Sequence, residues 1–251
     1  MPQRILAACC TLALVAATAS GRPYSEAFDG PVRPSIWSVR NANAPNSVAT
    51  RDGRLEITAG ADQLVWPWDV ANTTAPMLLV APPEPDDRYT VETRVRVTEP
   101  GDDEGWGSIA GLGVIRRDGT AAWIWGVWNG QRIALREHDI ERIGEATWVE
   151  AENVENIDDA RLRITRDRDG YRFLHALNGD DDWVETVERP WGSPDFPSQF
   201  RAGEYLIGLI VAAGSEEARV QFDYFDSPEL GVLDVEAAGK LPVAWAGLKA
   251  R

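Results

Sequence analysis

Apolar and polar positions along this chain alternate with a period of two over several separate runs. The longest is Arg88 to Thr98. Tyr89, Val91, Thr93, Val95 and Val97 fall on one face of it, and Thr90, Glu92, Arg94, Arg96 and Thr98 on the other. An extended strand places successive side chains on opposite faces, whereas an amphipathic helix repeats every 3.6 residues, so this run predicts a strand with one buried face. Arg54 to Thr58 repeats the pattern with Leu55 and Ile57 inward, and Arg161 to Thr165 with Leu162 and Ile164 inward. Asp169-Gly170 supplies a turn into Tyr171 to Ala176, which predicts a hairpin. Arg219 to Phe225 predicts a closing strand, with Val220, Phe222 and Tyr224 opposite Gln221, Asp223 and Phe225.

A second set of runs is apolar on both faces: Met77 to Val80, Ile109 to Ile115, Ala121 to Trp128 and Tyr205 to Ala213. Such runs suit strands covered on both sides, or strands with a core on one side and an aromatic-lined groove on the other. No segment carries capped helical periodicity. Short strands punctuated by Gly and Pro predict an all-β fold, a sandwich or a barrel. Residues 81–87, 100–105 and 190–199 read as loops, and so does the acidic stretch from Glu141 to Asp159. No internal repeat interrupts the series.

The ends of the chain differ from its middle. Arg4 followed by the apolar, small-residue stretch Ile5 to Ala17 and then Ala17-Thr18-Ala19 has the layout of a secretory leader. The expected organisation is a signal peptide at 1–20, one domain at 21–228 and a C-terminal tail at 229–251. Secretion or a periplasmic location follows, with no transmembrane segment once the leader is removed. Leu6-Ala7-Ala8-Cys9 offers lipidation as the less favoured alternative. Both cysteines, Cys9 and Cys10, lie in the leader, so the processed chain has no disulfide or thiolate metal site.

Composition narrows the partners. The 251 residues are 44% hydrophobic, enough for a packed core. A net charge of −15 repels phosphate backbones, so nucleic acid is not an expected partner.

Several stretches, taken in order, resemble the concanavalin A-like jelly-roll family, in particular an uncharacterised domain family related to the C-terminal domain of β-xylosidases. They are Ala27-Phe28-Asp29-Gly30 with Ile36-Trp37; Trp68-Asp69 through Asn72 to Leu79; Tyr89-Thr90-Val91-Glu92-Thr93; Ala110-Gly111-Leu112; Asp118-Gly119 with Trp123; Leu162-Arg163-Ile164; Gly179 with Trp183; and Phe222-Asp223-Tyr224-Phe225. The resemblance covers roughly Phe28 to Phe225. It implies a two-sheet antiparallel β-sandwich, a jelly roll with one curved, often sugar-facing sheet, and it implies no reaction, because this fold hosts lectins, hydrolases and structural modules alike.

Eleven tryptophans make carbohydrate the leading ligand class. Indole rings stack on the flat C–H faces of sugars and donate a hydrogen bond from their N–H. Trp68, Trp106, Trp125 and Trp128 are the candidate ligand-binding residues, set against ordinary core packing. On a regular strand Trp123 and Trp125 share a face and Trp128 takes the other.

The catalytic candidates are Glu137, Asp139 and Glu141, within Glu137-His138-Asp139-Ile140-Glu141. Retaining glycosidases need two carboxyls about 5 Å apart. The run resembles the Glu-x-Asp-x-Glu signature of family-16 glucanases, which implies Glu137 as nucleophile, Asp139 as its modulator and Glu141 as acid/base. His138 stands where that pattern usually has an apolar residue, and a solvated strand end is the alternative reading. No cofactor is expected. The two histidines, His138 and His175, cannot form a His-rich metal site, while Asp102-Asp103-Glu104 and Asp180-Asp181-Asp182 offer oxygen ligands to a structural calcium. The expected function is a secreted, non-catalytic carbohydrate-binding domain; a β-glucan hydrolase and a structural module of an envelope assembly are the alternatives.

Overall fold

A computed structural model describes residues 22–64, 73–82, 88–101, 107–118, 121–139, 147–153, 157, 159–190 and 204–232. The first strands are β1 (Arg22–Glu26), β2 (Ser38–Arg40), β3 (Ser47–Arg51), β4 (Arg54–Ala59), β5 (Met77–Val80) and β6 (Tyr89–Glu99). Next come β7 (Ile109–Arg116), β8 (Ala121–Trp128), β9 (Arg132–Asp139), β10 (Thr147–Asn153) and β11 (Ala160–Arg166). The last are β12 (Gly170–Leu177), β13 (Val184–Pro190), β14 (Tyr205–Ala212) and β15 (Ala218–Val232).

They form two antiparallel sheets. Sheet I runs β13-β12-β11-β6-β15-β4-β3, with β1 paired to the second half of β15. Sheet II runs β10-β9-β8-β7-β14-β5-β2. The result is an all-β sandwich, as the alternation allows, with the two-sheet jelly-roll layout that the resemblance implies.

The two kinds of sequence run separate by sheet. The alternating runs become β4, β6, β11 and β15, all in sheet I. Their inner residues, such as Leu55, Val91, Leu162 and Phe222, join the core, and their outer residues are charged or polar. The runs apolar on both faces become β5, β7, β8 and β14, all in sheet II. There Leu78, Leu112, Trp125 and Leu209 point into the same core. Met77, Ile115, Ile124 and Ile210 form a second buried cluster on the outer face. Burying one such aliphatic side chain contributes roughly 1.5–3 kcal/mol, so the inter-sheet core dominates stability.

Local chemistry sets the connections. Asn129 and Gly130 have φ of 52° and 65°, the paired positive values of a tight type I′ turn, and they join β8 to β9. The hairpin predicted at Asp169-Gly170 forms between β11 and β12. Its turn is closed by Asp167 N–H donating to the Gly170 carbonyl at 3.0 Å.

Three expectations are corrected. Strand β10 occupies part of the stretch read as an acidic loop. Strand β15 continues past residue 228 to Val232. It also carries a bulge between Phe222 and Phe225, where three residue steps on β15 match two on β6, from Val95 to Thr93. The extra residue flips the alternation, so Phe225 enters the core while Tyr224 faces outward, the reverse of the sequence reading.

Candidate functional site

Strand β9 alternates Ile133, Leu135 and Glu137 toward the core, in register with Val127, Trp125 and Trp123 of β8. Glu137 therefore points between the sheets and is 7% exposed. Arg189, on β13 of the opposite sheet, meets it at two points. Its Nε donates to Oε1 at 2.8 Å and its Nη2 to Oε2 at 3.1 Å. Arg189 is in register with Tyr171 of β12, and the Tyr171 ring stands edge-on to Trp123 at 5.0 Å. The ion pair is thus a clamp between sheets, walled by aromatic rings. Both carboxylate oxygens are committed to the guanidinium, an arrangement matched in shape and charge.

Asp139 ends β9 opposite Ala121, and Glu141 lies outside the described residues. Glu137 does not face an open groove where a nucleophile would meet a sugar. The sequence placed three carboxylates on one strand face; the structure turns that face inward at Glu137.

The tryptophans divide as the strand geometry requires. Trp123 and Trp125 share the inner face of β8. Trp125 is fully buried, its Nε1 donates to the Leu174 carbonyl at 2.8 Å, and its ring packs 5.9 Å from Phe173. It is a core residue and not a ligand platform, because its place in the alternation commits it to the interior. Trp128 takes the outer face of sheet II, half-buried beside the second apolar cluster. The Arg132 guanidinium lies 4.9 Å from its ring centre, directly across in register. Trp68 and Trp106 lie outside the described residues.

One aromatic that sequence reasoning did not single out as a site residue is Trp183. The Arg163 guanidinium stacks 3.8 Å from its ring centre and Arg161 lies at 5.0 Å. The signal lay in Arg161 and Arg163 sharing an outer strand face, but nothing in the sequence brings Trp183 onto it.

The outer face of sheet I is an ion-pair lattice. Asp223 meets Arg54 and Arg96, each at 2.9 Å. Glu92 accepts from Arg163 at 2.7 Å and from the Tyr224 hydroxyl at 2.5 Å. Burial and the Glu92 hydrogen bond push the Tyr224 hydroxyl above the ordinary tyrosine range. At one end of the sandwich Tyr89, Tyr171 and Tyr205 cluster with Arg166, which donates to the Tyr205 hydroxyl. Burial, with the neighbouring tyrosines, drives the Tyr89 and Tyr205 hydroxyls up as well.

Asp180 Oδ1 accepts the Asp182 N–H at 3.1 Å, and Asp181 reaches Arg161 at 3.5 Å, so this triplet works as a turn. Among the described residues no group of three or more His, Cys, Asp or Glu is arranged to hold a metal ion. Asp102-Asp103-Glu104 lies outside them.

No protein-family model matches the chain, and no curated protein matches it. Solved structures do. A functionally unknown protein from Saccharomyces cerevisiae is 18% identical with a TM-score of 0.54, over 76% of this chain and 94% of that one. A xylan β-1,4-xylosidase from Bacillus halodurans is 18% identical with a TM-score of 0.57, over 82% of this chain but only 39% of the xylosidase. A Mycobacterium tuberculosis protein described as an immunostimulatory antigen and pseudo β-1,3-glucanase is 14% identical with a TM-score of 0.53, over 83% of this chain and 99% of that one. At these identities the likeness establishes the jelly-roll sandwich.

Proposed function

We propose that this chain is a non-catalytic carbohydrate-binding jelly-roll domain, exported by the leader at residues 1–20. One observation carries the reading. Glu137, the first carboxylate of the only glycosidase-like run, is spent in a two-point ion pair with Arg189 between the sheets. A carboxylate held there faces the interior and not an open groove, where the nucleophile of retaining hydrolysis has to meet a sugar.

The binding side rests on a partly exposed aromatic and arginine pair. Trp128 offers an indole on the outer face of sheet II, and Arg132 beside it supplies N–H donors for sugar hydroxyls. The fold is shared with a xylosidase domain and with a protein described as a pseudo-glucanase, which supports a saccharide as the ligand class. The charge of −15 disfavours nucleic acid.

The test is calorimetric titration of the processed chain against plant, algal and bacterial polysaccharides. At least one should bind, and Trp128→Ala should weaken that binding at least tenfold. Failure to bind any of them contradicts the reading.

A further inference from the structure

Nearly every described arginine on sheet I is neutralised. Arg51, Arg54, Arg94, Arg96, Arg161, Arg163, Arg172, Arg189 and Arg219 each meet a carboxylate. Arg88 and Arg168 do not: both are exposed, and among the described residues neither has an ion pair, a side-chain hydrogen bond or a ring contact. These two line the same open depression of about 430 Å³, where β6 begins and β11 turns into β12.

Register explains why they meet. Tyr89 pairs with Arg166 and Thr90 with Thr165, so Arg88 continues β6 beside the turn that holds Arg168. Arg166 also borders the depression, but its buried guanidinium is seated 5.5 Å from the Tyr171 ring centre and 5.4 Å from that of Tyr205, between the sheets. Thr90 and Thr165 add hydroxyls. Of the two acids there, Asp167 is engaged by Arg172 at 2.9 Å and by the turn N–H groups of Asp169 and Gly170, and Asp169 is exposed on the rim.

We propose that this depression binds a carboxylate- or sulfate-bearing sugar unit, Arg88 and Arg168 gripping the anion while Thr90 and Thr165 meet sugar hydroxyls. A planar guanidinium matches the two oxygens of such an anion better than any other side chain. The chain's −15 charge, with Glu84, Asp86 and Asp87 just ahead of Arg88 in sequence, opposes a long polyanion. Screening over about 8 Å at physiological salt leaves a single anionic group governed by its nearest arginines. The ligand is therefore a short saccharide that presents one anionic group to these arginines, and not a long polyanion. This inference rests on the carbohydrate-binding reading and adds a second site and a substrate class to it.

The experiment is titration of the processed chain with digalacturonate, its neutral dimethyl ester, a monosulfated galactobiose and inorganic sulfate. One or both anionic disaccharides should bind at least tenfold tighter than the ester and than inorganic sulfate, and which of them does so identifies the anion. Added salt should weaken that binding. The paired substitution Arg88→Ala with Arg168→Ala should abolish the preference without moving the thermal midpoint or the polysaccharide binding at Trp128. Asp169→Asn, which removes the rim charge, should strengthen it two- to threefold. Equal binding of ester and acid, equal binding of inorganic sulfate, or a preference that survives the paired substitution overturns the proposal while leaving the Trp128 site standing. Loss of all saccharide binding at both sites overturns both.

Discussion

Arg189 crosses from one sheet to the other to take both carboxylate oxygens of Glu137, at 2.8 and 3.1 Å. The side chains are 14% and 9% exposed, so the contact lies in low-dielectric surroundings. Removing one partner leaves the other charge buried and unmatched, which costs about 3–5 kcal/mol for a fully buried pair. Glu137→Ala is therefore expected to lower unfolding stability by about 3 kcal/mol in urea denaturation, with polysaccharide binding retained. Unchanged stability would show that the clamp contributes nothing.

Trp125 and Trp128 lie three residues apart and should respond oppositely. Trp125 fills the core and hydrogen-bonds the opposite sheet, so Trp125→Ala is expected to cost about 3–5 kcal/mol. Trp128 is only half-buried, so Trp128→Ala should cost about 1 kcal/mol or less and appear mainly as lost ligand affinity. Paired denaturation and titration curves separate the two effects.

Gly208 sits where β14 passes β5, and a Cβ there would lie 2.0 Å from the Leu78 carbonyl oxygen. Backbone cannot yield as a flexible side chain can. Gly208→Ala is expected to destabilise by about 3 kcal/mol or to prevent folding. Gly30, which has nothing within 4 Å of the same added atom, should accept alanine without measurable loss. Thermal midpoints of the two variants make the comparison.

Four tyrosines, Tyr24, Tyr89, Tyr205 and Tyr224, have hydroxyl pKa values raised chiefly by burial. The unfolded value is about 10, so the folded chain holds these protons more tightly than the unfolded chain does. Their contribution is complete below about pH 10 and declines as pH rises above it toward the folded values. Alkaline titration should show near-ultraviolet phenolate absorbance rising together with loss of tertiary structure. Phenolate signal from four tyrosines well before unfolding would contradict the burial.

How much of this was legible in the chain depended on the sheet. Strands of sheet I carried their orientation openly, because their outer positions are charged: Glu92, Arg94 and Arg96 could face only outward. Sheet II strands are apolar on both faces, and Trp123, Trp125 and Trp128 could be divided only by strict alternation, which left open which side was the core. The bulge in β15 was not readable, since Tyr224 and Phe225 are both acceptable inward residues and only pairing with β6 decides between them. The inward turn of Glu137 was also hidden. A carboxylate in an acidic run reads as solvated unless its partner, Arg189, is known to arrive from the opposite sheet.

Affinity electrophoresis of the processed wild-type chain and its Trp128→Ala variant, in gels cast with a panel of polysaccharides, tests the functional reading most directly. Wild type should be retarded by at least one polymer, and the variant should run close to its mobility in a blank gel. Free migration of wild type in every gel, or equal retardation of both proteins, would contradict a glycan-binding role centred on Trp128.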